Sequence, residues 1–260
     1  TAGNMASDLV PLDDTPSWFR LAAGASGVIW QLWPGAAVPH ASPFAWDGGL
    51  SPWDGNGGLD VEGTLPASSM AVDRSGTLWV GDSRQGHLAR ITRAGARNYL
   101  PLRYRRGRGA RGRPLLLAPS GDRRAWVADG RVVSRFGATG VVRRVALPFA
   151  VGAVTEARLG ALWVVGRGGR VARVSREGAV QVLRARAARG TRSIAVGPRR
   201  HLWAAVPGRA RLLEVDERGR TLLHSLRSGD RTRSAVVRNL IAGGDGRLWV
   251  GTSSGLAVVP

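Results

Sequence analysis

Short runs of apolar residues, separated by turn-forming residues, recur along most of the chain. The clearest set lies in residues 191–229, where SIAV, HLWAAV, RLLEV and TLLHSL are separated by Gly197-Pro198, Pro207-Gly208 and Glu217-Arg218-Gly219. Runs of this length between Gly, Pro and Asp are typical of strands joined by tight turns, and the helical period of about 3.6 residues is missing. Each such set therefore predicts four antiparallel strands.

The same order of four runs recurs upstream. It is found from Met70, in MAVD, TLWVGD, HLARIT and NYLPL, and from Ala153, in AVT, ALWVVG, RVARVS and VQVLR. Six units carry a tryptophan in the second run, at Trp30, Trp79, Trp126, Trp163, Trp203 and Trp249, with separations of 49, 47, 37, 40 and 46 residues. One four-stranded propeller blade takes roughly 40 to 50 residues. The pattern predicts an all-β, six-bladed β-propeller.

The repeated tryptophans are interpreted as core residues. A large aromatic side chain at one fixed strand position packs neighbouring sheets against each other. We therefore assign them to the interfaces between blades and not to a ligand site.

The two ends of the chain predict how the ring closes. The last unit stops after its third strand, in GLAVVP, while DLVPL at residues 8–12 resembles NYLPL, an outer strand of an internal unit. Pairing of the N-terminal strand with the last blade removes the open edge between the first and last blades. Residues 1–260 then form a single propeller domain.

Two stretches of the repeat resemble known propeller families. NLIAGGDGRLWVGTSSGLAVV at residues 239–259 resembles the two-component regulator propeller repeat, and MAVDRSGTLWVGDSRQGHLARITRAG at residues 70–95 resembles the repeat of virginiamycin B (streptogramin) lyase. The second resemblance implies a metal-dependent lyase that opens a cyclic depsipeptide by elimination, with histidines and glutamates at the inner ends of blade strands. The shared motif is a turn, so it indicates a propeller more reliably than an activity.

The histidines and glutamates that the resemblance implies are not present at the corresponding positions of this chain. The positions that the resemblance assigns to histidine hold Ser68, Arg192 and Arg238, and those assigned to glutamate hold Asp82, Asp129, Gly166, Val206 and Thr252. The four histidines, His40, His87, His201 and His224, fall elsewhere, and no two of them have metal-ligand spacing, so we expect exposed or packing side chains.

A substitute catalytic set is nevertheless present. Elimination needs a base and donors that stabilise the developing anion. Asp82 and Asp129 are candidate bases on adjacent blades, and Arg192 and Arg238 are candidate donors. The alternative is that both aspartates form hairpin turns, which Asp commonly does.

Residues 34–66 depart from the repeat and form a Trp/Gly/Pro-rich insertion in the first blade. Trp33, Trp46 and Trp53, outside the repeat position, are candidate ligand-binding residues for an aromatic or carbohydrate ligand or a protein. The alternative is that these rings plug the channel or cover the first blade.

Within the insertion, DGNGGLDVE places Asp54, Asn56, Asp60 and Glu62 as oxygen donors in a glycine-rich turn. Calcium takes such ligands, and Mg²⁺ is the other metal considered, but Leu65 stands where a calcium loop has its bidentate glutamate. An ordinary Asp/Asn/Gly turn is the alternative.

Composition limits the chemistry and adds a charge. The chain has no cysteine, and all 38 of its basic residues are arginine, so disulfides, thiolate sites and lysine chemistry are excluded. The net charge of +20 attracts polyanions non-specifically. The densest positive segment, RYRRGRGARGRP, offers a polyanion contact through Arg103, Arg105, Arg106, Arg108, Arg111 and Arg113. The alternatives are a solvated loop and a GC-rich genome.

These features leave two main function classes and no assigned compartment. The first is a non-catalytic scaffold that binds an unknown protein, small molecule or carbohydrate through one ring face and the insertion. The alternatives are a lyase-like enzyme using channel carboxylates and a polyanion-binding propeller. No apolar stretch has the length of a membrane span, and residues 1–10 lack a signal sequence, although the chain given is also compatible with a secreted or periplasmic protein whose signal has been removed.

Overall fold

The computed structural model describes most of the repeat region. The described residues are 20–23, 28–33, 40–45, 59–60, 67–73, 75, 77–82, 86–92, 96–102, 115–120, 123–157, 160–226, 236–242, 247–252 and 255–259. They form antiparallel sheets with a single short 3-10 helix, Pro198–Arg200, so the all-β prediction is confirmed. No helix in these residues is long and apolar enough to cross a membrane.

The described strands group into six sheets, numbered here in chain order. Sheet 1 contains Arg20–Ala23, Val28–Trp33, His40–Ala45 and Leu59–Asp60. Sheet 2 contains Ala67–Val72, Leu78–Asp82, His87–Ile91 and Arg97–Pro101. Sheet 3 contains Leu116–Ser120, Arg124–Asp129, Val132–Gly137 and Gly140–Ala146. Sheet 4 contains Val151–Glu156, Leu162–Gly166, Arg170–Val174 and Val180–Arg186. Sheet 5 contains Ile194–Val196, Leu202–Ala205, Arg211–Val215 and Thr221–Ser225. Sheet 6 contains Val237–Ala242, Leu248–Thr252 and Gly255–Val259.

Within every sheet the strands follow chain order, each antiparallel to the next. The predicted strands of residues 70–102, 153–184 and 191–226 are confirmed to within a few residues. First strands of successive sheets contact one another, and the first strand of sheet 6 also contacts that of sheet 1. The N-terminal segment 8–12, predicted to complete sheet 6, lies outside the described residues.

Residues 34–66 contribute strands of their own. His40–Ala45 and Leu59–Asp60 are the third and fourth strands of sheet 1, and they complete the sheet begun by the two strands before them. The irregular sequence therefore supplies half of a sheet as well as the connections around it.

The repeat tryptophans form the contacts between sheets. Trp79, Trp126, Trp163 and Trp203 are at most 3% exposed, which confirms the prediction for these four. Each packs on the following sheet: Trp126, for instance, lies in one apolar cluster with Leu162 and Val164 of sheet 4. Burying such large side chains is a main source of stability, since about 25 cal/mol is gained for each Å² of apolar surface removed from water.

The turns between third and fourth strands, and between first and second strands, are closed by side chains. Asp216 Oδ1 accepts hydrogen bonds from the backbone N–H groups of Arg218 and Arg220, at 2.9 and 2.8 Å. Asp73 Oδ1 does the same for Ser75 and Thr77. A short acidic side chain satisfies the turn backbone in this way, which is why Asp followed by small or glycine residues recurs where the chain reverses.

Candidate functional site

One end of the sheets carries a set of exposed arginines. At this end second strands turn into third strands and fourth strands lead to the next sheet. The exposed arginines in the turns and connections at this end, which define what we call the arginine end, are Arg131, Arg167, Arg189, Arg192 and Arg209. All lie in turns or connections, where side chains project from the sheets into solvent.

Backbone hydrogen bonds hold these turns together. Leu147 N–H donates to Arg131 O at 2.7 Å, and Arg167 N–H donates to Ala150 O at 2.9 Å, so turns and connections of sheets 3 and 4 are joined. Gly190 N–H donates to Arg167 O at 3.2 Å, which ties the next connection to the same turn. The arginine end is therefore carried by hydrogen-bonded backbone and not by isolated loops.

The four candidates for catalysis lie at this same end. Asp82 and Asp129 are the last residues of the second strands of sheets 2 and 3. Asp129 is half-buried and directly precedes the turn at Gly130 and Arg131. Arg192 and Arg238, both exposed, lie just before and at the start of the first strands of sheets 5 and 6. The fold thus brings the four positions to one end, while their roles stay predictions.

The other predicted site residues lie mostly outside the described residues. These are Trp46, Trp53, Asp54, Asn56, Glu62, Arg103, Arg105, Arg106, Arg108, Arg111 and Arg113. Trp33 ends the second strand of sheet 1 and Asp60 ends its fourth, and both have His40 as backbone pairing partner. The arginine-rich segment 103–114 connects Leu102 to Leu115, and Leu102 N–H donates to Gly86 O in the second-to-third-strand turn at the arginine end.

A polar cluster that sequence reasoning missed lies in sheet 5. His201 Nδ1 is 2.6 Å from Glu214 Oε1, and His224 Nε2 is 2.7 Å from Glu214 Oε2. The Glu214 side chain is only 9% exposed, and the two histidine side chains are 23% and 35% exposed. The sequence analysis treated these two histidines as exposed or packing side chains and did not indicate their shared contact, which arises because strand pairing brings a turn and an outer strand onto one carboxylate.

The carboxylate is ionised in this cluster. Burial raises the pKa of Glu214, but the hydrogen bonds from His201 and His224, with the charge of these two residues, outweigh burial and hold the pKa below its usual value. A carboxylate with both oxygens accepting hydrogen bonds is well satisfied despite its burial.

Glu214 occupies the place that arginine has in three other sheets. The third-strand residue opposite the repeat tryptophan is Arg90, Arg135 and Arg173 in sheets 2, 3 and 4, and Glu214 in sheet 5. In sheet 5 the ring that lies beside the tryptophan is His224, with 4.7 Å between its centroid and that of Trp203. Aligning the repeats on their tryptophans is the signal that could have revealed this exchange of charge.

Chemically, the cluster ties three parts of one sheet together. Glu214 joins the turn before the second strand to the fourth strand. Because an ionised carboxylate only accepts hydrogen bonds, the imidazole nitrogen that contacts it carries a proton in each histidine. Among the described residues, no three of His, Asp and Glu are arranged to hold a metal ion.

Comparisons with known proteins identify the fold. No family model and no curated protein matches the chain. A streptogramin B lyase structure covers 92% of this chain and 81% of its own, with 13% identity and a TM-score of 0.67. A catalytically inactive virginiamycin B lyase from Staphylococcus aureus with quinupristin covers 93% and 83%, with 15% identity and a TM-score of 0.67. The WD40 propeller domain of Doa1 covers 94% and 78%, with 10% identity and a TM-score of 0.65.

These similarities establish a β-propeller of the streptogramin lyase type. Identities of 10 to 15% extend to the fold and no further. The resemblance read from the sequence repeats is confirmed at that level.

Proposed function

We propose that this β-propeller is a single six-bladed domain that binds an anionic partner at its arginine end and has no depsipeptide-opening activity. The observation that carries the proposal is the arginine end itself: five exposed arginines on hydrogen-bonded turns and connections. Clustered arginines make a positive field and present planar, multidentate donors to carboxylate, sulfate or phosphate groups. A scaffold of this kind needs no reacting group.

The ring geometry supports the proposal. First strands contact one another from sheet 1 to sheet 6 and back to sheet 1, as in a ring of six blades. Completion of sheet 6 by residues 8–12 would make its strand number equal to that of the other sheets and pair its last edge. Residues 34–66, with Trp33, Trp46 and Trp53, are proposed to add an apolar contact for the same partner.

The test measures binding of fluorescein-labelled heparin by fluorescence anisotropy. Changing Arg131, Arg167 and Arg209 to glutamate is expected to weaken binding by more than about tenfold at physiological salt, because ion contacts dominate the affinity. The matched control changes Arg176, Arg199 and Arg218, exposed arginines at the opposite end, to glutamate. Equal losses in the two triple variants would show that only the overall charge attracts the polyanion.

The lyase alternative has its own assay. Purified protein is mixed with a streptogramin B substrate and Mg²⁺, and ring opening is followed by mass spectrometry. We expect no turnover. Turnover that Asp82→Asn or Asp129→Asn abolishes would replace the binding proposal with the enzyme.

A further inference from the structure

The exposed bulky apolar residues of the described chain share one location. Tyr99, Val141, Val142, Val180, Val182, Leu222, Leu223 and Val258 are between 37% and 58% exposed. Each lies on the outermost described strand of its sheet, in sheets 2 to 6. Single exposed apolar residues need no explanation, but their confinement to the outer strands indicates an interaction surface.

The outer strand of sheet 4 combines apolar and charged residues on one face. Gln181 is the pairing partner of Arg173 and so lies on the face of Trp163. The register shifts between Ala172 and Arg170, but Leu183 and Ala185 pack in the apolar cluster of Trp163, so the even-numbered residues lie on the other face along the whole strand. That other face presents, in order, Val180 and Val182, 37% and 46% exposed, and then the exposed Arg184 and Arg186. The strand therefore has an apolar half and a positive half.

This face is turned towards sheet 3. The outer strand of sheet 3 carries the exposed Arg143 on the face towards sheet 4, since Arg143 pairs with Arg135, whereas Val141 pairs with Phe136 and lies on the face towards sheet 2. Sheet 4 meets that strand at Gly178, where an added Cβ would be 3.1 Å from Arg143 Cδ and from Val145 Cγ2. Beyond this contact the two strands keep valines and arginines exposed.

The edge of the strand is also open. Val180–Arg186 pairs with Arg170–Val174 and with no other strand among the described residues. An open edge offers a row of backbone donors and acceptors to an added strand, and the side chains on alternate positions then select its sequence.

The charge of the outer strands indicates which kind of molecule would bind at this edge. The outer strands of sheets 2 to 5 contain no Asp or Glu, while three of them carry arginine. Antiparallel pairing with a second copy of this strand would set Arg186 opposite Val180 and Arg184 opposite Val182, so the arginines of both copies would lack an acidic partner. A flat anionic surface would pair with the arginines and leave the exposed Val180 and Val182 without an apolar partner. The complementary occupant is an extended acidic peptide.

We propose that an extended peptide segment with apolar and acidic residues at alternate positions adds to the edge of Val180–Arg186 as a fifth strand. Its apolar side chains contact Val180 and Val182, and its carboxylates pair with Arg184 and Arg186. Antiparallel pairing places the acidic residues in the N-terminal half of the segment, because Arg186 is the last residue of the strand. The site runs along the strand and uses none of the five arginines that define the arginine end, although Arg186 lies where the strand reaches that end.

The probe is a labelled peptide of sequence ETETVTV, which presents two glutamates and two valines on one face. Anisotropy is expected to show binding that falls by about tenfold in Arg184→Glu/Arg186→Glu, equivalent to about 1.4 kcal/mol. The peptide KTKTVTV is expected to bind the double variant better than it binds the wild type. Hydrogen exchange should slow at the amides of Val180–Arg186 when ETETVTV is bound, which a purely electrostatic contact would not produce.

Two controls separate this site from other sources of binding. Circular dichroism and melting temperature show whether the double variant is folded, and Val182→Thr, a milder change, is expected to weaken ETETVTV binding without changing that of heparin. Unchanged affinity in Arg184→Glu/Arg186→Glu, with loss in the Arg131/Arg167/Arg209 variant, would place the peptide at the arginine end and overturn the inference. Equal binding of a polyglutamate chain and a single-stranded oligonucleotide to the strand-edge arginines would overturn it as well.

Discussion

At the residue scale, a single position of the repeat decides how each buried tryptophan is held. The Arg90 and Arg135 guanidinium carbons lie 5.8 Å from the ring centroids of Trp79 and Trp126, within the range of a cation–π contact. In sheet 5 the corresponding residue is the acidic Glu214, and the ring of His224, which is hydrogen-bonded to Glu214, lies beside Trp203. A change from arginine to glutamate at this one position thus goes with different side-chain contacts in sheet 5, while its strands pair as in the other sheets.

The Trp126→Ala variant tests the core role of the repeat. Trp126 is fully buried and its Nε1–H donates to Gly160 O at 2.9 Å. Truncation leaves a cavity and an unpaired carbonyl, so we expect a loss of about 3 to 5 kcal/mol in the free energy of unfolding by urea titration. A loss below about 1 kcal/mol would contradict the burial of this side chain.

The Glu214→Gln variant tests the histidine cluster. A group whose pKa is lower in the folded state stabilises the protein above its unfolded pKa, about 4.3, and stops doing so as the pH falls through the folded value. At pH 7 we expect the variant to be less stable than the wild type by about 1 to 3 kcal/mol.

The pH dependence of the stability difference between wild type and Glu214→Gln is a second test of the cluster. The difference in melting temperature between wild type and Glu214→Gln should begin to shrink as the pH falls below about 4.3, the unfolded value, and should be lost as the pH falls through the lowered pKa of the folded carboxylate. Glu217→Gln, with a side chain 56% exposed, is the control and should show little difference at any pH. A difference that grows on acidification would contradict the cluster.

At the element scale, tight turns depend on glycine only where the backbone requires it. Gly169 has φ +85°, and a Cβ there would clash with Ala187 O, in the connection leading to sheet 5. The neighbouring Gly168 has open space around its Cα. Two adjacent glycines of one turn therefore have different physical roles.

Substituting these two glycines by alanine separates the roles. Gly169→Ala should lower the free energy of unfolding by more than about 1 kcal/mol, because the turn must move away from Ala187. Gly168→Ala should change it by no more than about 0.5 kcal/mol. Chemical denaturation of both variants measures the difference, and equal effects would mean that the turn is not closed against the connection.

At the scale of the whole molecule, stability depends on how each sheet meets the next. The contacts of first strands run through all six sheets and return to sheet 1, so a gap at any interface leaves two apolar sheet faces unpacked. Sheet 6 has three strands among the described residues, the last being Gly255–Val259. Its edge is the one that we propose the N-terminal segment completes.

Deletion of residues 1–14 tests the proposed closure. If residues 8–12 pair with Gly255–Val259, their removal exposes an apolar strand edge and should lower the melting temperature by several degrees, with increased aggregation. Deletion of residues 1–7, which keeps DLVPL, is the control and should have little effect. Identical melting temperatures for the two truncations would rule out the swapped strand.

Much of the fold could be predicted from the sequence. The strands of sheets 2, 4 and 5 and the burial of Trp79, Trp126, Trp163 and Trp203 followed from apolar runs, turn residues and a blade-length period. These features are local or periodic, and a repeat multiplies a weak local signal by the number of units. Within residues 34–66 the apolar runs did not predict the strand His40–Ala45, because it contains a proline and has few of the bulky apolar residues that are typical of strands.

Much less of the sites could be predicted. Sequence reasoning grouped Asp82, Asp129, Arg192 and Arg238 as one candidate set, and the strand order places all four at one end. It did not indicate the contact of His201 and His224 with Glu214. Likewise, the sequence shows that valines and then arginines alternate along the outer strand of sheet 4, at Val180, Val182, Arg184 and Arg186. Whether these side chains are exposed depends on how much of the strand sheet 3 covers.

The sequence by itself therefore determined the strand content, the repeat and the identity of the residues that pack the sheets, because each depends on neighbours close in the chain. The tertiary structure alone decided which distant side chains meet. His201 and His224 lie 13 and 10 residues from Glu214, and they reach it only because the register sets Trp203 opposite Glu214 and Leu212 opposite His224. A shift of one residue in that register would turn each side chain to the other face, and no local signal in the sequence specifies it.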